Sequence, residues 1–375
     1  MLSSALPAHV ATMTTLAPLF EALRGFGDRP AIRFGGDTWT YQRLVDEADR
    51  LARGLIGLGV GPGVPVALMM SNRPEYLVAD LAVIRCGAIK VPLNDMLSQG
   101  EIAHILADSG AAVAIADRGL LPAAQQAVTG TLHTLITVDS LEETPPGTTP
   151  WRTVLQDGDD RNAAPRTAAS TDPAALDDLG LILYTGGTTG RPKGVTHTQR
   201  GLAVNLLSHI IEAGIGDDER ILLTSPLPHS AGFLAQAGLL RGATLLLERR
   251  FDPEQVLGLI ADGTITFTFM VPTMIYRLLD RAAGRDLSAS ALRTILYGAA
   301  PVTRERLAQG LATFGPVFMQ LYGQSEAPNF LTRLRREDHT TDPALAHRLT
   351  SCGRAVLLAT VAVVDDDGHP LPPVR

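Results

Sequence analysis

Residues 179–194 read LGLILYTGGTTGRPKG, a short apolar run followed by a loop of small and polar residues. Leu179–Tyr184 has the length and composition of a buried strand. From Tyr184 to Gly194 the chain holds four glycines, three threonines, one arginine and one lysine. Glycines let backbone N–H groups turn toward one point, threonine hydroxyls add donors, and Lys193 adds positive charge. The strand and loop together predict a binding site for an anion such as phosphate.

Two other interpretations of this loop fit its residues less well. A Walker phosphate loop places its lysine directly before serine or threonine, whereas Lys193 follows Pro192 and precedes Gly194. A solvent-exposed turn is the commonest fate of a glycine-rich segment. This density of glycine, threonine and lysine directly after an apolar strand is unusual for such a turn, so we favour the anion site.

The rest of the chain alternates apolar strands with helical periodicity, which indicates mostly parallel sheets flanked by helices. Residues 142–178 are rich in Pro, Thr, Gly, Asp and Ala and read as a linker. We predict an N-terminal α/β subdomain over residues 1–175 and a second, carrying the loop, over 176–375. Strands are predicted at residues 64–70, 88–92, 111–116, 221–224, 243–247, 266–270, 294–297 and 317–321, and the apolar run 355–364 is also predicted to be a buried strand.

Composition limits the classes of function. A net charge of 32 − 39 = −7 argues against broad nucleic-acid binding, which needs a basic surface. Two cysteines far apart, Cys86 and Cys352, favour reduced thiols over a disulfide framework or a metal site. No apolar run approaches the roughly 20 residues that span a bilayer, and the N-terminus lacks a signal-peptide pattern. We therefore expect a cytoplasmic protein without a transmembrane segment.

Three later stretches follow the loop in order: PLPHSAGF at residues 226–233, YGAAP at 297–301 and QLYGQSEAP at 320–328. With the loop, they resemble the motifs of the adenylate-forming superfamily, which comprises acyl-CoA synthetases, luciferases and the adenylation domains of peptide synthetases. Four motifs in order over nearly the whole chain make the resemblance specific. Two positions depart from the usual pattern, because Gly186 stands where serine is usual and Ser325 where threonine is usual.

The resemblance implies a fold and a reaction. The family's large domain has two stacked α/β subdomains with mixed, mostly parallel sheets and a small distorted β-barrel. The acid attacks the α-phosphorus of ATP, pyrophosphate leaves, and the acyl group passes to an acceptor. The implied cofactors are ATP, Mg²⁺ and coenzyme A, and closeness to acyl-CoA ligases makes coenzyme A the expected acceptor. The phosphopantetheine of a carrier protein is the alternative, and the oligomeric state is open.

Roles carry over to the matching positions. Catalytic roles fall to Lys193, Thr185, Glu326 and His229, with Glu326 as the Mg²⁺ ligand. Tyr322 is expected to stack on adenine and Gln320 to meet its amino edge, although each alone would be ordinary packing. The predicted nucleotide-binding set is Thr185, Gly186, Gly187, Thr188, Thr189, Gly190, Lys193, Gly298, Ala299, Ala300, Pro301, Gln320, Leu321, Tyr322, Gly323 and Ser325. The predicted substrate-binding set is His229, Ala231, Gly232, Phe233, Gly298 and Gln324.

The substrate is expected to be a carboxylic acid with an uncharged aliphatic or aromatic tail. Amino-acid-activating relatives carry an aspartate near the histidine segment, and residues 226–233 contain no acidic side chain. A buried ammonium without a carboxylate partner would be costly.

The family pattern continues with a ribose-binding aspartate, a hinge and a small domain with a catalytic lysine, none of which has a match here. We therefore expect an N-terminal domain from truncation or proteolysis, with weak turnover. The alternative is a natural split or degenerate member that binds acyl-adenylate without forming it.

Overall fold

The computed structural model describes residues 16–126, 131–139, 144–159, 175–186 and 191–371. These residues form two compact units. The first contains the described residues up to Leu206 together with Ile215–Arg250, and the second contains Leu207–Gly214 and the described residues from Phe251 onward. None of the helices among these residues combines the length and apolarity needed to cross a membrane.

The first unit contains a seven-stranded sheet in the order β7-β6-β5-β3-β4-β8-β9. Neighbours run parallel except β8 and β9, which are antiparallel. Four further strands of this unit pair in the order β10-β11-β1-β2. The strand bounds are β1 Pro30–Phe34, β2 Asp37–Thr40, β3 Pro65–Met69, β4 Ile89–Pro92, β5 Val113–Ala116, β6 Thr134–Thr137, β7 Thr149–Pro150, β8 Leu179–Thr185, β9 Lys193–Thr198, β10 Arg220–Leu223 and β11 Thr244–Leu247.

Helices join these strands, and their ends are set by local sequence. Ser98 caps the helix that starts at Gln99: its hydroxyl accepts from the N–H of Glu101, whose carboxylate accepts from the Ser98 N–H in return. Thr40 caps the helix Tyr41–Gly57 through its side chain, which accepts a hydrogen bond from a backbone N–H in the first turn. The helix bounds are α1 Ala17–Glu21, α2 Tyr41–Gly57, α3 Pro74–Arg85, α4 Gln99–Asp108, α5 Leu121–Gln126, α6 Trp151–Asp157, α7 Gln199–Ala213 and α8 Gly232–Leu240.

In the second unit five strands pair in the order β16-β15-β14-β13-β12. β12, β13 and β14 run parallel, while β15 and β16 are added antiparallel. The bounds are β12 Phe267–Met270, β13 Thr294–Tyr297, β14 Phe318–Gln324, β15 Ala327–Leu334 and β16 Arg354–Ala355, with helices α9 Pro253–Ala261, α10 Pro272–Arg281 and α11 Arg304–Phe314. Both units therefore confirm the predicted α/β class with mixed, mostly parallel sheets. The domain boundary at 175/176 stays a prediction.

One predicted strand is wrong. The apolar run Ala355–Val364 is not a buried strand, because Leu357 is 75% exposed and Val363 is 69% exposed. β16 ends at Ala355, and the backbone then turns, with the Ala359 N–H bonded to the carbonyl of Val356. A strand is buried only where neighbouring strands and a covering layer continue beside it, and this turn ends the pairing.

Two glycines allow α2 and α6 to approach closely. A Cβ on Gly54 would lie 2.2 Å from the carbonyl oxygen of Val154, and one on Gly158 would lie 1.9 Å from that of Arg50. The Gly158 N–H in turn bonds to the Val154 carbonyl. Backbone therefore packs against backbone here, and neither position accepts a side chain.

We expect Gly54→Ala to lower the free energy of unfolding by about 2 kcal/mol, because overpacking against a backbone oxygen outweighs the better helix propensity of alanine. Gly57→Ala in the same helix is the matched control, since a Cβ at that position would meet no described atom within 4 Å. This control should be neutral or stabilising by up to about 1 kcal/mol. Urea unfolding of both variants measures the difference, and equal stabilities would contradict the close-packing argument.

Candidate active site

The mouth of the glycine-rich loop is formed by two paired strands. β8 and β9 are antiparallel with Thr185 opposite Lys193 and Tyr184 opposite Gly194. Directly opposite residues place their side chains on the same face of a sheet. Thr185 and Lys193 are thus brought together, with Gly186 following Thr185, and their predicted contacts with phosphate stay a prediction. Gly187, Thr188, Thr189 and Gly190 lie outside the described residues, so their roles stay predictions.

Both ends of the loop are tied to helix α4. The Tyr184 hydroxyl donates to Asp108 Oδ2 at 2.7 Å, and His104 Nε2 donates to the carbonyl oxygen of Pro192 at 3.0 Å. Burial, and next the Asp108 carboxylate, raise the pKa of Tyr184, which keeps the phenol protonated as a donor. A Cβ on Gly194 would meet Ile182 at 2.8 Å and the Tyr184 ring at 3.1 Å, so only glycine fits beneath that ring. These contacts fix where the loop begins and ends.

A pocket lies on the face of β8 that leads to Thr185. Leu181 and Leu183 alternate with the core-facing Ile182 and Tyr184, so they share a face with Thr185. The free volume is about 10 Å³, enough for a water molecule, so an acyl tail enters only if lining side chains move. The lining residues are Lys90, Pro92, Leu181, Leu183, Leu227, Pro228, His229, Gly232 and Phe233.

His229 lies in a π-helical turn, Leu227–Ala231, that precedes α8. Its own backbone is not helical (φ −116°, ψ −147°), and a Cβ on Gly232 would lie 2.3 Å from the Leu227 carbonyl oxygen, so the turn closes tightly. The His229 ring lies 3.4 Å from the amide nitrogen of Asn94 through Nε2. Although the residue is exposed, desolvation by surrounding protein lowers its pKa, which favours the neutral ring. His229, Gly232 and Phe233 line the pocket, and Ala231 is buried beside them; their role in binding substrate stays a prediction.

Asn72 holds this turn in place, and the sequence did not indicate its role. Its side-chain amide donates to the carbonyl oxygens of Ser225 (2.9 Å) and Glu248 (3.1 Å). Its Oδ1 accepts from the N–H of Leu227 at 2.9 Å. Asn72 is only 3% exposed, so solvent cannot replace these bonds. A buried asparagine thus supplies partners for backbone groups in a segment that is not in regular secondary structure.

In the second unit the predicted adenine loop packs beside β14. Tyr297 and Gln320 are register partners of β13 and β14, and a Cβ on Gly298 would lie 2.5 Å from Leu321 Cδ1. Ala299 has φ +69°, a left-handed conformation that is strained for a residue with a side chain. Strain of this kind clusters at functional sites. The start of this loop is therefore packed against β14, with Gly298 beside Leu321.

The end of β14 is a tight hairpin whose turn is Ser325-Glu326. The register shifts between Tyr322 and Gln324, and a Cβ on Gly323 would lie 2.6 Å from the backbone of Asn329. Bulges of this kind are frequent beside active sites, where they redirect side chains. Tyr322 is 46% exposed, which leaves its ring available for stacking. Glu326 is exposed in this turn.

Tyr297, the register partner of Gln320, is bound by a neighbour that the sequence did not identify. The Tyr297 hydroxyl lies 2.9 Å from His339 Nε2 and 3.4 Å from Gln320 Oε1. His339 Nδ1 faces the carbonyl oxygen of Arg335 at 2.7 Å, so Nδ1 donates there and Nε2 accepts from Tyr297. Burial lowers the pKa of His339, which keeps the ring in this neutral form. The chemical roles of Gln320, Tyr322, Gln324, Ser325 and Glu326 stay predictions.

Comparison with known proteins agrees with these motifs. Residues 19–374 match the family described as AMP-binding enzyme. The chain is 33% identical over 358 residues to the medium/long-chain-fatty-acid–CoA ligase FadD8 of Mycobacterium tuberculosis, covering 94% of this chain and 61% of that protein. It is 34% identical over 347 residues to a feruloyl-CoA synthase from Amycolatopsis sp, covering 92% of this chain and 64% of that protein. The chain thus spans less than two thirds of the length of these relatives.

A solved structure gives the same result for the fold. The inhibitor-bound N-terminal domain of FACL13 from Mycobacterium tuberculosis superposes with a TM-score of 0.76 at 26% sequence identity. The match covers 96% of this chain and 86% of that one. The arrangement of strands and helices described above is therefore that of a known large domain.

We expect Asn72→Leu to lower the free energy of unfolding by about 3 kcal/mol, because one N–H and two carbonyl groups lose their partner where water does not reach. Asn94→Leu is the control, since Asn94 is only half-buried and solvent replaces its bonds; it should cost under about 1 kcal/mol. Urea unfolding of both variants gives the two values. Equal costs would show that Asn72 does not hold the turn.

Proposed function

Because this chain belongs to the AMP-binding enzyme family, we propose that it binds ATP and a carboxylic acid for their conversion to an acyl-adenylate and pyrophosphate. The proposal is supported mainly by the side chains that share one face of β8. Leu181 and Leu183 line an apolar pocket on that face, and the same strand ends at Thr185 opposite Lys193. An apolar pocket that leads into an anion-binding loop suits a molecule with an apolar tail and a carboxylate next to phosphate.

The reaction brings two anions together, so the protein must offset their repulsion. A carboxylate oxygen of the acid forms a bond to the α-phosphorus as the bond to pyrophosphate breaks. Lys193 and Thr185 supply a positive charge and a hydroxyl donor at the loop mouth, where phosphate oxygens gain negative charge. Exclusion of water by the apolar pocket strengthens these interactions.

Nucleotide and cation contacts are proposed for the second unit. The exposed Tyr322 ring offers a face for adenine, and the loop that starts at Gly298, packed against Leu321, offers backbone groups. Mg²⁺ prefers one or two carboxylates together with phosphate oxygens and water, so the single carboxylate of Glu326 fits as its protein ligand. Bound there, Mg²⁺ would neutralise charge on the phosphates.

The acid and the acceptor follow from the pocket and the relatives. Hydrophobic side chains make up most of the pocket lining, which favours an acid with an apolar body. The relatives named above are CoA ligases for a medium- or long-chain fatty acid and for ferulate. Their names support coenzyme A as the acceptor of the acyl group in the whole enzyme.

Non-hydrolysable acyl-sulfamoyladenosines test the proposal without requiring turnover. We expect isothermal titration to show that hexanoyl- and cinnamoyl-sulfamoyladenosine bind at least about 10-fold more tightly than sulfamoyladenosine, because the tail is desolvated in the pocket. An alanyl analogue, which carries an ammonium, should gain nothing over sulfamoyladenosine. Binding of the alanyl analogue alone would assign the chain to amino-acid activation. No binding by any analogue would refute the proposal.

We expect Lys193→Ala to weaken ATP binding by about 10-fold or more, because a charge-assisted contact to phosphate is lost. Adenosine binding should not change, since adenosine has no phosphate. Arg200→Ala is the matched control: it removes one positive charge from the same unit, and Arg200 is exposed and paired with Asp177. Equal ATP affinities of the Lys193 variant and the parent protein would exclude the proposed phosphate contact.

A further inference from the structure

Lys90 is a buried lysine in the strand beside β8. It and Lys193 are the two lysines of the chain, and its side chain is only 10% exposed. In the parallel pairing of β4 with β8, Lys90 is the register partner of Leu181. Val91 points to the opposite face and belongs to the core. Lys90 therefore points to the same face as Leu181, and it lines the pocket.

Asp80 on helix α3 balances the charge of this ammonium, and Gln236 on helix α8 completes the hydrogen bonding of Asp80. Lys90 Nζ lies 2.7 Å from Asp80 Oδ1, and Asp80 Oδ2 accepts from Gln236 Nε2 at 2.7 Å. Asp80 is 1% exposed and Gln236 is 6% exposed. Each oxygen of the carboxylate therefore has a donor, and the pair as a whole carries no net charge.

The ammonium keeps unused hydrogen-bonding capacity. An ammonium has three N–H donors, and the part of the chain that the structure describes gives Lys90 one side-chain acceptor, Asp80. A buried donor without an acceptor is costly. Since Lys90 lines the pocket, a ligand in that pocket is placed to supply the missing acceptor.

The position of Lys90 along the strand indicates which part of a ligand it meets. Leu181, Leu183 and Thr185 lie in that order on one face of β8, with Lys90 beside Leu181. Four residues of strand span about 13 Å. A ligand whose head lies at Thr185 and Lys193 thus directs its tail toward Lys90.

We propose that Lys90 determines specificity by donating a hydrogen bond to an oxygen at the far end of the acid, so that the preferred substrates are acids with a neutral hydroxyl or carbonyl group on the tail. The proposal rests on the proposed function, since it assumes that the acid lies along β8 with its carboxylate at the loop. A neutral oxygen is favoured over a second carboxylate because Asp80 already balances Lys90. A buried carboxylate would add a charge without a partner.

Three ligands that differ at one position test this inference. They are the N-acyl-sulfamoyladenosines of cinnamate, 4-hydroxycinnamate and 4-(aminomethyl)cinnamate, measured by isothermal titration against the parent chain with sulfamoyladenosine as the tail-free reference. We expect the hydroxyl compound to bind at least about 10-fold more tightly than cinnamoyl. The ammonium compound should bind most weakly of the three, because its charge repels Lys90.

A double variant assigns the preference to Lys90. Lys90→Met with Asp80→Asn removes both charges together, keeps an acceptor for Gln236 and leaves no unpaired charge. In this variant we expect hydroxyl and unsubstituted compounds to bind equally. The control, Arg306→Met with Asp280→Asn, likewise replaces both members of an ion pair by neutral residues, here in the second unit, and it should keep the parent preference.

The possible outcomes distinguish failure of this inference from failure of the proposed function on which it rests. Equal affinities for the hydroxyl and unsubstituted compounds in the parent chain would overturn the role of Lys90 and leave the proposed function standing. A hydroxyl preference that survives in a folded double variant would also overturn it. If the double variant does not fold, the order of the three affinities for the parent chain tests the inference. Strong binding of the ammonium compound to the parent chain would then refute it. Failure of every acylated compound to exceed sulfamoyladenosine would instead refute the proposed function.

Discussion

Strand β8 pairs in parallel with β4 along one edge and antiparallel with β9 along the other, so its register is fixed from both sides. A shift of one residue would exchange its two faces. Ile182 and Tyr184 would leave the core, and Leu181, Leu183 and Thr185 would leave the pocket. The register that buries the Tyr184 ring over Gly194 is therefore the same one that sets Thr185 opposite Lys193. The same register of β8 is therefore required both for packing of the core and for placement of the site residues.

The pocket's other wall needs a different kind of support. Residues 225–231 are largely irregular or kinked, so few of their backbone groups are paired within a helix or sheet. Asn72 supplies two of the missing bonds, to Ser225 and Leu227, from a position just before α3, and a third bond ties it to the carbonyl oxygen of Glu248. Such a segment is specified by one side chain rather than by periodicity. This explains how His229 can occupy a non-helical conformation in an otherwise tightly packed region.

Sequence reasoning predicted those parts of the fold that depend on apolar burial. Strands such as β12 and β13 were placed within a residue, because every one of their side chains is buried. It did not predict β9, whose half-exposed residues show no apolar alternation and are held by pairing with β8. It also misjudged 355–364, where apolar composition is not matched by a neighbouring strand. Contacts between residues far apart in sequence, such as Tyr297 with His339, leave no local pattern.

The pair of Lys90 and Asp80 can be recognised in the sequence, because each residue is a charged side chain within an apolar segment, although neither belongs to a motif. A lysine within the apolar strand AIKVPL is too costly to bury alone, so a carboxylate had to lie against the same face. The helix VADLAV, a few residues earlier, has one acidic side chain among apolar ones. Since α3 leads directly into β4 and packs on it, Asp80 is the nearest carboxylate in sequence that could balance Lys90. A charged residue within an apolar strand, such as Lys90, thus indicates that an oppositely charged partner lies nearby. It also indicates that the pocket it lines contains a polar group.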